Sequence, residues 1–149
     1  MVKMDLAELK RLGKIRKIPI DKKQINNLIK LSKRDLDFAE EVKDKNPDWV
    51  FSIAYSSILQ MSRALLYSYG YDTDELELHK TTLDFVAIIL GEKYGEIVNT
   101  FDRLRRKRNA TIYDEAGIIS EYEAKFAIKT AKDFYEVGRK KVEEKLRSA

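Results

Sequence analysis

The chain has no cysteine and one histidine, His79. The first absence excludes disulfides, thiolate nucleophiles and cysteine-ligated metals. The second means that zinc would need several carboxylates, and that any Ser/His/Asp triad would have to be built around His79. Neither a metal nor another cofactor is expected. Long apolar runs are missing too: "FVAIIL" at 85–90 falls far short of a membrane span. The N-terminus "MVKMDLAELKRLGKIRK" lacks the uninterrupted apolar core of a signal peptide, so a soluble cytoplasmic protein is expected. A dominant charge sign is also absent. Twenty-nine basic against 25 acidic residues leave +4, too mild to announce a nucleic-acid binder unless the cations are concentrated.

Charge of both signs is plentiful. It makes up 36% of the chain, against about 25% in ordinary domains, and with the lack of cysteine this leans toward a thermophilic source. The 149 residues suit one domain with its own core. Two prolines and six glycines punctuate it, without repeats or low-complexity linkers.

"DLAELKRLGK" reads as a short helix stopped at Gly13, and "IRKIPI" breaks regular structure at Pro19. Asp21 is an N-cap for a helix running to about Lys43, with Ile25, Leu28, Ile29, Leu36, Ala39 and Val42 at three- and four-residue spacing. "NPDW" restarts the chain, with Asn46 as cap and Pro47 at the first helical position; Gly70 ends that helix. The polar connection "YDTDELEL" leads to His79 at the start of a helix that should break near Gly91 or Gly95. "SEYE" at 120–123 has capping-box spacing, and the last helix carries a stripe that includes Ala124, Ala127, Ala131 and Gly138, small enough for close helix approach. No segment reads as a strand. The expected fold class is all-α, an up-down bundle of four to five helices.

One stretch departs from a generic helical protein. "RLRRKRNATIYDEAG", residues 103–117, packs Arg103, Arg105, Arg106, Lys107 and Arg108 ahead of Asn109, Tyr113 and Asp114. With Ile97 as origin on a helix, Phe101 falls near 40°, Leu104 near 340° and Arg108 near 20°, at about 100° per residue. Arg108 therefore continues the apolar stripe, while Arg103, Arg106 and Lys107 face solvent or a flank. A guanidinium on such a stripe is costly unless it meets an acid or lines a cleft. The outward cations are explained by a solvated helix end near its negative dipole pole. Tyr113 lies about 140° from Arg108 on an ideal helix, so the two share a pocket only if the helix ends between them. Asp114 and Gly117 favour such a turn. The tyrosines of "YSYGYD" (Tyr67, Tyr69, Tyr71) read as packing and interface rather than a base-stacking platform.

"AYSSILQMSRALLYSYGYD", followed by a loop, a histidine, a helix and "RLRRKRNATIYD", resembles the HEPN superfamily (higher eukaryote and prokaryote nucleotide-binding domains). It is most similar to small stand-alone archaeal and bacterial members with a Leu-Arg-x-x-Arg-x-x-x-x-Tyr-Asp signature. The resemblance covers residues from roughly 21 to 145, leaving an N-terminal extension over 1–20 of a single domain. It implies a homodimer in which two arginine segments meet across a cleft. It also implies either metal-independent endoribonuclease activity or partnership with a nucleotidyltransferase antitoxin in a toxin–antitoxin pair. Arg108 matches the catalytic arginine of the Arg-x-x-x-x-His motif, and Tyr113 stands where that motif has histidine. Arg105, Asn109, Asp114 and His79 become candidates for binding RNA or a nucleotide. Tyrosine, with an ordinary pKa near 10, is a poor base at neutral pH, and loss of a base lowers rates roughly 10²- to 10⁴-fold. Three readings stand: a weak ribonuclease, a non-catalytic binding module that works with a nucleotidyltransferase, and a structural dimer with Arg108 tied to Asp102 or Asp114.

Overall fold

A computed structural model describes residues 5–73, 78–113 and 117–148, without the side chains of 78–79 and 110–113. Six α-helices occur among the described residues: α1 (Leu6–Arg11), α2 (Lys22–Glu41), α3 (Pro47–Ser68), α4 (Leu78–Leu90), α5 (Gly95–Tyr113) and α6 (Glu121–Arg147). The molecule is an all-α bundle arranged around α3.

Local chemistry starts each long helix where the sequence signals it. The Asp21 carboxylate accepts from the N–H groups of Lys23 and Gln24, and the Asn46 side-chain oxygen accepts from those of Asp48 and Trp49. Ser120 and Glu123 form a complete capping box, satisfying two backbone donors reciprocally. Between α4 and α5, Gly91 at φ 76° supplies a backbone turn that a side chain resists, and Glu92–Tyr94 make one tight 3₁₀ turn. The helix breaks where the glycines indicate.

The central helix α3 packs against α2 on one side and α6 on another, with α4 and α5 completing its surroundings. Its contact with α2 is pinned by a buried pair: each of Ser32 and Ser57 donates its hydroxyl to the other's carbonyl at 2.8 Å. Against α6 the approach is closer. A Cβ at Gly138 would lie 2.5 Å from Met61 Cγ, so only glycine fits there without a shift. The core holds Phe51, Tyr55, Phe85, Phe101 and Phe134, with Phe101 edge-on to Phe134 at 6.2 Å and tilted against Tyr55 at 5.8 Å.

The expectation of no strand is corrected in one place. β1 (Ile15–Lys17) pairs antiparallel with β2 (Tyr71–Thr73), Arg16 opposite Asp72 with an ion pair of 3.0 Å. Three residues are too few for a period-two pattern to register, and β2 overlaps the tyrosine cluster at the end of α3. The pairing brings the N-terminal segment onto the core, where Leu9 and Ile15 are buried.

Candidate functional site

Along α5, Phe101 and Leu104 are buried and Arg108 follows them on the same stripe, as the helical spacing predicts. Its guanidinium carbon sits 5.0 Å from the centre of the Tyr55 ring on α3. Tyr55 is 1% exposed, so this cation–π contact is formed away from water, where it is strongest. Arg108 Nε is itself buried without a hydrogen-bond partner, and no carboxylate pairs with Arg108 among the described residues.

The other cations of the segment have acquired company. Arg105 places Nε and Nη2 on Asp102 Oδ1 at 3.2 and 2.9 Å, and Arg106 reaches Asp102 Oδ2 at 3.4 Å. Asp102 is thereby engaged by its neighbours on α5 and not by Arg108. Lys107 meets Glu123 of α6 at 3.2 Å, and Arg103 donates to Thr100 Oγ1 at 3.3 Å. Arg103 and Arg106 are exposed, in line with a solvated flank.

Burial pushes the Tyr55 hydroxyl up to about 12; Arg108 and Arg105 oppose that rise and Asp102 adds to it. Tyr55 therefore stays protonated at neutral pH and presents a neutral ring to the arginine, not a base. Sequence reasoning missed Tyr55. The available signal was indirect: an arginine on an apolar stripe requires a ring or an acid opposite, and the helical spacing alone does not say which residue of α3 stands there.

A second feature was also missed. With Tyr55 as origin on α3, the half-exposed residues Leu59, Ser52, Arg63, Ser56 and Gln60 fall between about 40° and about 140° around the helix. The α2 and α6 contacts at Ser57 and Met61 lie at about 200° and about 240°. This strip, polar except for Leu59, lies between the α2 side and the Tyr55–Arg108 side of α3. Three of its buried polar atoms, Ser52 Oγ, Gln60 Oε1 and Arg63 Nε, have no hydrogen-bond partner among the described residues. Arg63 does donate to the Tyr67 hydroxyl at 3.0 Å, and the Ser56 hydroxyl donates to Asp35 at 2.8 Å. Buried polar atoms are normally satisfied, so this strip stands out from the rest of α3.

The remaining candidates are placed unevenly. Asn109 is exposed, about 100° around the helix from Arg108. His79 lies in the first turn of α4, and Tyr113 ends α5; both side chains, and all of Asp114, lie outside the described residues. The expected helix end between Arg108 and Tyr113 is not observed, because α5 stays helical through Tyr113. On an ideal helix through both residues their backbone positions lie about 140° apart around the axis.

Among the described residues, no three His, Cys, Asp or Glu side chains gather as metal ligands, and no helix is long and apolar enough to cross a membrane. What the geometry offers is a partly buried cation on an aromatic ring. Such an arrangement attracts an anion without needing a metal.

No curated protein matches the chain. The family model for the HEPN domain does match, over residues 25–142 and thus over well more than half of the 149 residues. It covers all but the first turn of α2, the whole of the central α3, the arginine segment of α5 and most of α6. The chain belongs to the HEPN family.

Proposed function

We propose that this is a toxin–antitoxin-type HEPN protein whose Arg108 cleft receives a phosphate of RNA and supports slow, metal-independent cleavage. Membership of the family supports a nucleotide- or RNA-related role. The observation that carries the finer reading is Arg108: a guanidinium held by the Tyr55 ring with a buried, unpartnered Nε. When the RNA 2′-hydroxyl attacks its neighbouring phosphorus, negative charge grows on the phosphorane oxygens. A fixed cation stabilises that charge more than the ground state, which is what catalysis requires. Proton transfer falls to His79 or Tyr113, the second supplied across a homodimer cleft. The test is cleavage of a mixed RNA pool in EDTA by the protein and by Arg108→Ala. Cleavage by the first and not by the second is expected; intact RNA after long incubation at high protein concentration would refute the nuclease reading.

A specific observation favours a second reading, binding without turnover. Because α5 continues through Tyr113, the positions of the motif tyrosine and Arg108 lie on different faces of one helix. In that reading the cleft holds a nucleotide or RNA phosphate through Arg105, Arg108 and Asn109, alongside a nucleotidyltransferase partner that modifies the Tyr113 hydroxyl. Affinity for RNA that falls with added salt, with no cleavage, supports it. A nucleotide-sized mass increase on the chain, lost in Tyr113→Phe, would identify the acceptor.

A further inference from the structure

Most arginines among the described residues hold a carboxylate, Arg11, Arg16, Arg34, Arg105 and Arg139 among them. Arg63 and Arg108 do not. Each instead lies on a tyrosine ring of α3, Arg63 on Tyr67 at 5.7 Å and Arg108 on Tyr55 at 5.0 Å. Each also has a buried Nε with no hydrogen-bond partner among the described residues. A partly buried guanidinium without an acid is costly to the fold, so two seated alike along α3 point to a shared use.

Arg63 is held in place but not used up. Its Nη2 donates to the Tyr67 hydroxyl at 3.0 Å, and Tyr67 is 5% exposed, so the ring contact forms away from water. One bond leaves most donors of the guanidinium fork uncommitted. The helix sets its position relative to Arg108. Arg63 stands beyond Tyr55 by about 12 Å along α3 and about 80° around it. Half-exposed Ser56 and Leu59 lie between them along the helix. Two carboxylates stand near this line, and both are already engaged. Asp35 accepts from Arg34 and the Ser56 hydroxyl, and Asp102 from Arg105 and Arg106. They weaken the positive field along α3 without pairing with either ring-seated cation.

Neighbouring phosphates of one strand lie closer together than that separation, so a strand with one phosphate at Arg108 brings a further one to Arg63. We propose that Arg63 is a second phosphate-holding residue, which makes binding in the Arg108 cleft depend on the length of the RNA strand. The proposal rests on the reading of that cleft as a phosphate site. Arg63 touches none of the reacting atoms; it is a positioning residue that fixes the register of the strand.

Titration calorimetry with 2′-O-methyl RNA, which lacks the attacking hydroxyl and stays intact, decides it. The probes are an octanucleotide and a dinucleotide with a single phosphate. Arg63→Gln keeps part of the stem but no charge. It should weaken octanucleotide binding roughly tenfold and leave the dinucleotide unchanged. The slope of log affinity against log salt for the octanucleotide should fall in magnitude by about 0.7, the share of one phosphate contact. Arg63→Lys should restore that slope, which a packing role for Arg63 does not predict, and helical melting curves will verify the fold of each variant. Arg108→Ala should weaken both probes. Unchanged octanucleotide binding by Arg63→Gln, beside a loss in Arg108→Ala, would overturn this inference and leave the Arg108 cleft standing. Equal losses for the two probes in Arg63→Gln would overturn it as well, since length would then play no part. If Arg108→Ala bound both probes like the parent, or the parent bound neither, the reading of the cleft would fail and this inference with it.

Discussion

A guanidinium that rests on an aromatic ring keeps its charge available to an anion, whereas one clamped by a carboxylate is already partly neutralised. Arg108 and Arg105 illustrate the two cases one helical turn apart. The distinction predicts that Arg108→Ala weakens RNA or phosphate binding more than Arg105→Ala does, read by the affinity of each variant at fixed salt. Tyr55→Leu should act on the same reading by removing the ring beneath the guanidinium, a contact worth about 2 kcal/mol when desolvated. Tyr55→Phe keeps that ring, and its effect belongs to pH. The Tyr55 hydroxyl, raised to about 12 from an ordinary value near 10, favours the folded state fully below pH 10 and loses that contribution as pH rises toward 12. The Phe variant should therefore lose less stability than the parent between about pH 10 and about pH 12, measured by denaturant unfolding.

At the level of elements, side-chain size at one crossing decides how close α3 and α6 come. Gly138→Ala would drive a methyl into Met61 Cγ, and overpacking of this kind destabilises by about 1–3 kcal/mol, visible as a lower Tm. Shortening the obstacle with Met61→Ala in the same chain should make the two changes non-additive, since they share one contact. Ser120→Ala removes half of the capping box and should cost about 1 kcal/mol in the same assay. These elements were readable beforehand because their signals are local: a cap oxygen acts within three residues, and apolar spacing is set by the helix itself. The break at Gly91 was legible for the same reason. The β1–β2 pair was not, since its two partners stand far apart in sequence and neither has enough residues to show alternation. The continuation of α5 past Arg108 was likewise hidden. Thr111 and Ile112 disfavour helix only weakly, and a running helix easily absorbs that penalty.

For the whole molecule, the joints between helices depend on charge as well as packing. Glu40 of α2 bonds Lys132 of α6, which lowers its pKa below the ordinary carboxylate value. Glu123 is lowered chiefly by the Ser120 backbone N–H, with Lys107 of α5 adding to it. Groups with depressed values stabilise the fold above their unfolded pKa, near 4.5, and lose that contribution as pH falls through the lower folded value. Melting temperature should therefore drop below about pH 4.5, and Glu40→Gln should flatten part of that decline. The candidate site was only partly legible in the sequence. Arg108's place on the apolar stripe followed from angular position alone, while its ring partner and the polar strip of α3 required the third dimension, because they arise where separate helices meet. The small β1–β2 ladder has a consequence for the chain's behaviour in solution. If residues before Asp21 were removed, Tyr71–Thr73 would become an open edge with unpaired backbone donors and acceptors, next to the apolar surface that Leu9 and Ile15 cover. Open edges recruit further strands, so the shortened protein should self-associate, and light scattering against concentration would record the N-terminal segment's role as a guard against aggregation.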